Sequence, residues 1–255
     1  MKLNADMSAV VTGGASGLGA GVVRHLRERG VSTALFDMDE DRGQQMATET
    51  GSTFIKVDVS DSASVRAGFA AARTAHGQER LVVNCAGIAP AMKTVSRGQA
   101  HDPDLFAKVI AINLIGSFHV ASIAAEGMVD EAPATPDGER GVIIHTASVA
   151  AYDGQIGQTA YAASKAAVAG MTLPMARDLA DKGVRVVSVA PGIFGTPMLT
   201  AFPQEVQDAL AAQIPFPARL GKPEEFADLV GHIAENGMLN GETIRLDGAI
   251  RMPPR

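Results

Sequence analysis

Seven short apolar runs, each followed by a helical stretch or a longer polar excursion, constrain this chain more than anything else in it. They are Ser8–Thr12, Ser32–Phe36, Thr53–Val57, Leu81–Asn84, Val142–Thr146, Val184–Val189 and Thr243–Leu246. Several read V-V-x or V-I-I without polar alternation, as strands do when both of their faces are covered. Helical patterns such as Leu18–Arg29 and Ala63–His76 lie between them. Such alternation predicts an α/β protein: a doubly wound parallel sheet with helices on both faces, in three layers. Two stretches, 89–104 and 130–141, carry prolines and glycines and read as surface excursions, because the alternation resumes after each. The 255 residues therefore read as a single domain.

Composition narrows the function classes. The net charge of −6 argues against sequence-independent nucleic-acid binding, which runs on basic patches. A lone cysteine, Cys85, excludes an internal disulfide and fits a reducing compartment. The six histidines are scattered without metal-ligand spacing, so no metal site is expected. No apolar run reads as long enough to span a bilayer, and the first residues lack the design of a signal peptide. A cytoplasmic protein, off the membrane, is the expectation.

The first strand runs straight into T12-G-G-A-S-G-L-G19 and then a helix. A glycine turn opening a helix accepts a pyrophosphate, because free backbone N–H groups and the helix dipole point at the anion. The spacing G13-x-x-x-G17-x-G19 departs from the common G-x-G-x-x-G, with Val22 where the third glycine would stand. The second strand ends at Asp37, placed to accept hydrogen bonds from an adenosine ribose and to repel a 2′-phosphate. NAD is thereby favoured over NADP. Asp39, Glu40 and Asp41 suit the cap and first turn of the next helix. Asp58, ending the third strand, either meets an adenine edge or caps a helix.

Y161-A-A-S-K165 places a phenol and an ammonium on one face of a helix. Free tyrosine has a pKa near ~10, and a fixed neighbouring cation favours the phenolate. Such a pair could move a proton near neutral pH. Ser148, at the end of a strand-like run, could hold a substrate oxygen against the phenol. His145 reads as a satisfied sheet residue, and Cys85 as a small packing residue in apolar surroundings. Pro174 should kink the helix carrying Tyr161 and Lys165.

Together these pieces resemble the short-chain dehydrogenase/reductase family. The resemblance is carried by T12-G-G-A-S-G-L-G19, Asp58, N84-C-A-G87, Asn113, Ser148, Y161-A-A-S-K165 and P191-G-I-F-G-T196, in order and over most of the chain. It implies a Rossmann-like fold and nicotinamide-dependent oxidoreduction. It makes Tyr161 the acid/base. Lys165 depresses the Tyr161 pKa and bonds the nicotinamide ribose, and Ser148 polarises the substrate oxygen. Asn113 holds a water linking Lys165 to solvent. Ser16, Gly17 and Leu18 contact the cofactor diphosphate and ribose. Cys85, Ala86 and Gly87 lie beside the riboses, and Pro191, Gly192, Phe194 and Thr196 surround the nicotinamide. Gly13, Gly19, Asp37, Asp58 and Val59 complete the set implied for NAD.

A closer likeness, within a branch acting on 3-hydroxyacyl-CoA, is carried by G141-V-I-I-H-T-A-S-V-A-A151, I214-P-F-P-A-R-L-G221 and N240-G-E-T-I-R-L-D-G-A-I-R-M252. It implies an acyl-CoA substrate and a homotetramer. Lys93 and Arg97 could meet the phosphates of that substrate, or face solvent. The apolar segment 197–217 reads as a helical lid over the acyl chain, or as a core helix pair. A hydroxysteroid, an acyl-carrier-protein thioester and a non-catalytic NAD-binding scaffold are the alternatives. The first two keep the chemistry and change the substrate; the third is opposed by the complete Ser148, Tyr161 and Lys165 set.

Overall fold

The computed structural model describes residues 1–200 and 203–254. The chain runs β1 (Ser8–Thr12), α1 (Gly17–Glu28), β2 (Ser32–Asp37), α2 (Glu40–Thr50), β3 (Thr53–Lys56), α3 (Ser62–His76) and β4 (Leu81–Asn84). A two-stranded hairpin, β5 (Val95–Ser96) and β6 (Gln99–Ala100), precedes α4 (Pro103–Ile110), a π turn (Ala111–Ile115) and α5 (Gly116–Met128). Then come β7 (Gly141–Thr146), α6 (Thr159–Asp178), β8 (Val184–Pro191), α7 (Pro197–Thr200), α8 (Gln204–Ala211), α9 (Pro223–Glu235) and β9 (Thr243–Leu246). All seven expected strands form, in one sheet ordered β3-β2-β1-β4-β7-β8-β9. Every pairing in it is parallel. The order reverses between β1 and β4, and ligands of such sheets bind beyond the strand ends at that switch point.

Two apolar layers flank the sheet. Val11, Leu35, Val83, Ile144 and Val187 pack with α1 and α9 on one face. Val10, Phe36, Val82, Ile143 and Val186 pack with α3 and α5 on the other. Both faces of the central strands are buried, which is why their sequences lack alternation.

Two expectations change here. The continuous helical run Pro103–Met128 has 26 residues and, by length and composition, is long and apolar enough to cross a bilayer. In the fold it lies along α3 and the sheet, burying Val120, Ala121, Ala124 and Met128. The excursion 89–104 contains an antiparallel hairpin, whereas 130–140 is irregular as expected and Gly141 already opens β7. Pro174 lies inside α6, Thr159–Asp178, as expected, and on its exposed side.

Candidate active site

The glycine turn packs into the switch point. Gly13 has φ +64°, and a Cβ there would lie 2.8 Å from the Ala86 nitrogen. A Cβ on Gly19 would meet the Gly13 carbonyl oxygen at 2.2 Å. Only glycine satisfies both the left-handed turn and the close approach. Thr12 completes the join: its Oγ1 accepts from the Cys85 and Ala86 N–H groups, each at 3.1 Å. The sequence reading missed Thr12, although its place at the end of β1, before Gly13, was the available signal. Ser16 is the extended N-cap of α1 and makes no side-chain capping bond, and no acidic residue occupies the first turn. The helix therefore begins with donors free for an anion. Gly17, at φ +55°, lies against Thr196, a Cβ there falling 3.3 Å from its Cγ2. This contact brings the glycine turn and the Pro191–Thr196 segment together.

Asp37 sits where β2 ends. Its Oδ2 accepts from the Ala15 N–H at 3.0 Å and its Oδ1 from the Asp39 N–H at 3.1 Å. Asp39, not Asp37, caps α2 by accepting from Arg42 N–H. The Asp58 carboxylate accepts from Ser60 N–H and Oγ–H at 2.9 and 2.6 Å, while Asp61 caps α3. Asp58 is thus no helix cap. Val59 is buried against Gly116, and Leu18 packs on the core beside α1.

Beyond β7, Ser148 is the extended N-cap of a short 3-10 turn, its Oγ accepting from Ala150 N–H at 3.1 Å. Tyr161 and Lys165 are one turn apart on α6, with the Lys165 Nζ 5.8 Å from the Tyr161 ring centroid. Lys165 is 5% exposed. Its Nζ donates to the Thr146 carbonyl at 2.6 Å. A Cβ on Gly87 would lie 3.7 Å from that nitrogen, so Gly87 leaves Lys165 room. Burial pushes the Lys165 ammonium down from 10.5 to about 8.

The expected effect of Lys165 on Tyr161 is not what the structure gives. Burial raises the Tyr161 pKa, and only the hydrogen bond with Ser148 opposes the rise. The cause is geometric: the ammonium is turned to the Thr146 carbonyl beside a partly buried phenol, so desolvation of the phenolate wins.

Asn113 lies in the π turn. Its Oδ1 accepts from Ile88 N–H and its Nδ2 donates to the Ile88 carbonyl, both at 2.9 Å. Nδ2 also donates to Ser164 Oγ at 3.1 Å. The side chain is committed to holding the loop just after Gly87, and Ser164 and Ile88 are partners the sequence did not suggest. The Asn113 carbonyl accepts from Ser117 Oγ–H. His145 corrects another expectation. Its Nδ1 meets Asn84 Nδ2 at 3.1 Å, but its buried Nε2 has no partner among the described residues. Desolvation and the Lys165 charge lower its pKa to about 4, so it is a neutral imidazole at pH 7. Burial lifts the Cys85 thiol to about 11, in keeping with a packing role.

Phe194 is buried against Gly221, and Gly192 donates to the Leu246 carbonyl at 2.9 Å. Lys93 and Arg97 are both exposed in and before the hairpin. The lid expectation covers residues 201 and 202, which lie outside the described residues. On either side of them α7 and α8 are helical, and α8 buries none of its side chains, unlike a core helix.

A family model described as short chain dehydrogenase matches residues 7–207. The chain is 50% identical over 250 residues to 3-hydroxyacyl-CoA dehydrogenase type-2 of Drosophila melanogaster, covering 96% of this chain and 98% of that one. The human protein of the same name is also 50% identical, over 96% of this chain and 95% of its own. The crystal structure of 3-hydroxyacyl-CoA dehydrogenase type-2 from Mycobacterium avium superposes with a TM-score of 0.94 at 41% identity, covering all of both chains. With the family model spanning most of its length and full-length relatives at half identity, this chain belongs to the short-chain dehydrogenase family.

Proposed function

We propose that the protein is an NAD-dependent 3-hydroxyacyl-CoA dehydrogenase, interconverting 3-hydroxyacyl-CoA and 3-oxoacyl-CoA with short or branched acyl chains. The observation that carries this reading is the meeting of Ser148 and Tyr161 one helical turn from a buried Lys165, in a chain half identical to full-length relatives of that name. The residues at the switch point fit a dinucleotide: uncapped donors at the start of α1, the glycine turn beside Thr196, and Asp37 at the ribose position. Asp37 supports NAD over NADP, since a 2′-phosphate there would meet a carboxylate.

Bound nicotinamide supplies or accepts the hydride. Ser148 Oγ orients the substrate oxygen against the Tyr161 hydroxyl. Tyr161 takes the proton from that oxygen in oxidation and returns it in reduction. Burial alone holds its proton too tightly. Lys165 becomes useful as a cation when charge develops on the phenol, in a site closed to water. Its value of about 8 leaves it largely protonated at pH 7. Asn113 keeps the Gly87–Ile88 loop beside Lys165. The exposure of Arg97 in the hairpin and of α8 supports assigning them to the thioester arm and the acyl chain. The active form is a homotetramer in the cytoplasm.

The test is reduction of acetoacetyl-CoA with NADH, repeated with NADPH and with a steroid ketone. NADH-dependent turnover of the thioester supports the reading; steroid turnover without thioester turnover overturns the substrate class. Tyr161→Phe should lower kcat by about 100-fold or more with cofactor binding retained. A near-normal rate would remove Tyr161 from the chemistry.

A further inference from the structure

Ser148 and Tyr161 are separated by a loop, 149–158, whose far corner is held from another part of the chain. Arg245, at the end of β9, donates through Nη2 to Asp153 Oδ2 at 2.7 Å. Its guanidinium also lies 5.2 Å from the centroid of the Tyr152 ring. Asp153 is locked to the serine side of the loop, its N–H donating to the Val149 carbonyl at 2.9 Å. Through Nε the same guanidinium donates to Asp247 Oδ2 at 2.7 Å, and through Nη2 to the Ile250 carbonyl at 3.1 Å.

Asp247 belongs to the other half of the site. A Cβ on Gly192 would fall 2.9 Å from both the Asp247 Cα and Cβ, so Asp247 is in close contact with the Pro191–Thr196 segment. The turn it opens is strained: Ala249 has φ +67°, a left-handed conformation unfavourable for alanine. Asp247 Oδ1 holds that turn by accepting from Ala249 N–H at 3.0 Å. The other limb of the loop is fixed by the stretch that follows. Gln155 Nε2 donates to the Pro253 carbonyl at 3.1 Å, and Ile156 N–H to that of Pro254 at 3.0 Å. Both carboxylates and the cation are mostly buried, with side-chain exposures of 21%, 9% and 23% for Asp153, Asp247 and Arg245. A guanidinium presents its donors in a fixed planar fork that meets both carboxylates and the Ile250 carbonyl at once, a geometry that the point charge of an ammonium does not reproduce.

We propose that Arg245 is a positioning residue for hydride transfer, tying the Ser148–Tyr161 loop to the segment that flanks the nicotinamide. It rests on the assignment of Ser148 and Tyr161 as the groups that meet the substrate. The tie fixes the separation between the substrate oxygen and the hydride-bearing ring, a distance to which rate is steeply sensitive.

The experiment compares Arg245→Met, Asp153→Ala, the double variant and Arg245→Lys with the parent protein. It reads kcat and KM with acetoacetyl-CoA and NADH, NADH affinity by fluorescence titration, and hydrogen exchange of the 149–158 amides without cofactor. Arg245→Met is expected to lower kcat by about 10- to 100-fold, with NADH affinity unchanged and faster exchange confined to the loop. The double variant falls no further than Arg245→Met, because the residues act through one network. Arg245→Lys loses part of the rate and recovers part of the protection. Asp153→Ala keeps the test open if Arg245→Met fails to fold, since it removes only the loop side of the tie. A parental kcat, or rate and NADH affinity falling together with the folded fraction, overturns the proposal. Parental rates in these variants beside an inactive Tyr161→Phe sink the tie alone, whereas an active Tyr161→Phe sinks the assignment beneath it.

Discussion

Lys165 works against the stability of the fold that holds it. Among the described residues its acceptor is the Thr146 carbonyl, and desolvation sets its pKa at about 8 against 10.5 for the free side chain. Between those values the unfolded chain binds the extra proton, so stability rises with pH across that window. Below it the folded protein carries a buried, poorly compensated charge. Lys165→Met should therefore be inactive yet more stable at pH 7, by on the order of 1–3 kcal/mol, or a few degrees in Tm. The gain should shrink as pH climbs from about 8 toward 10.5. Thermal melts across that range check it, and a lower Tm at pH 7 would mean that the Thr146 bond outweighs desolvation. The same residue shows what the sequence could and could not reveal. The i, i+4 spacing placed Lys165 and Tyr161 on one face, because helix geometry fixes that. Which neighbour Lys165 chooses, and that burial raises rather than lowers Tyr161, are tertiary outcomes. They depend on Thr146 and Gly87, which no local pattern links to residue 165. Asp37 was legible as a strand-end carboxylate; its bond to Ala15 N–H was not, since that requires knowing how the glycine turn folds back.

Among the elements, the sheet was the legible part because its central strands are covered on both sides and so carry unbroken apolar runs. Their observed ends shift from the expected ones by a residue or two, as where β8 continues to Pro191 and β3 stops at Lys56. The hairpin 95–100 was not legible: its paired residues are all exposed and impose no pattern. The π turn at 111–115 was hidden for the opposite reason, since the apolar period of α4 and α5 runs through it. How these elements are joined depends on buried ion pairs, of which the α3–β4 corner is one. Glu79 is 1% exposed, and Arg73 of α3 grips both of its carboxylate oxygens at 2.7 and 3.0 Å. Arg73 also donates to the Ile123 carbonyl of α5 and lies 5.1 Å from the Phe69 ring centroid. Burial raises the Glu79 pKa while Arg73 opposes it. Arg73→Met would leave the carboxylate buried without its cation, at a cost of about 3–5 kcal/mol at pH 7. With its folded pKa raised further, Glu79 contributes less as pH rises, so the loss should be smaller at acidic pH. Denaturant melts at neutral and mildly acidic pH measure this; an equal loss at both would assign the effect to packing.

At the level of the whole molecule, the helical run 103–128 poses a question that one subunit does not answer. Its composition would suit a bilayer, yet its inner face is core and only its outer face is open. That outer face shows Ile115 and Phe118, 42% and 51% exposed, and α6 shows Leu173 at 43%. Along α6 the exposed positions Ala163, Ala166 and Gly170 are small, which lets another helix approach closely. Apolar anchors beside small residues suit a second copy of the same chain, through a self-complementary helix contact. Phe118→Glu would place a carboxylate in that contact, where desolvation costs several kcal/mol on the scale of a buried unpaired ion. The parent protein should have the mass of a tetramer by light scattering, and Phe118→Glu a smaller mass with a lower Tm. Because Phe118 is exposed within a subunit, its replacement should leave the circular dichroism of the folded chain unchanged. A parent protein of monomer mass, or a Phe118→Glu tetramer of undiminished mass, would place the subunit contact elsewhere.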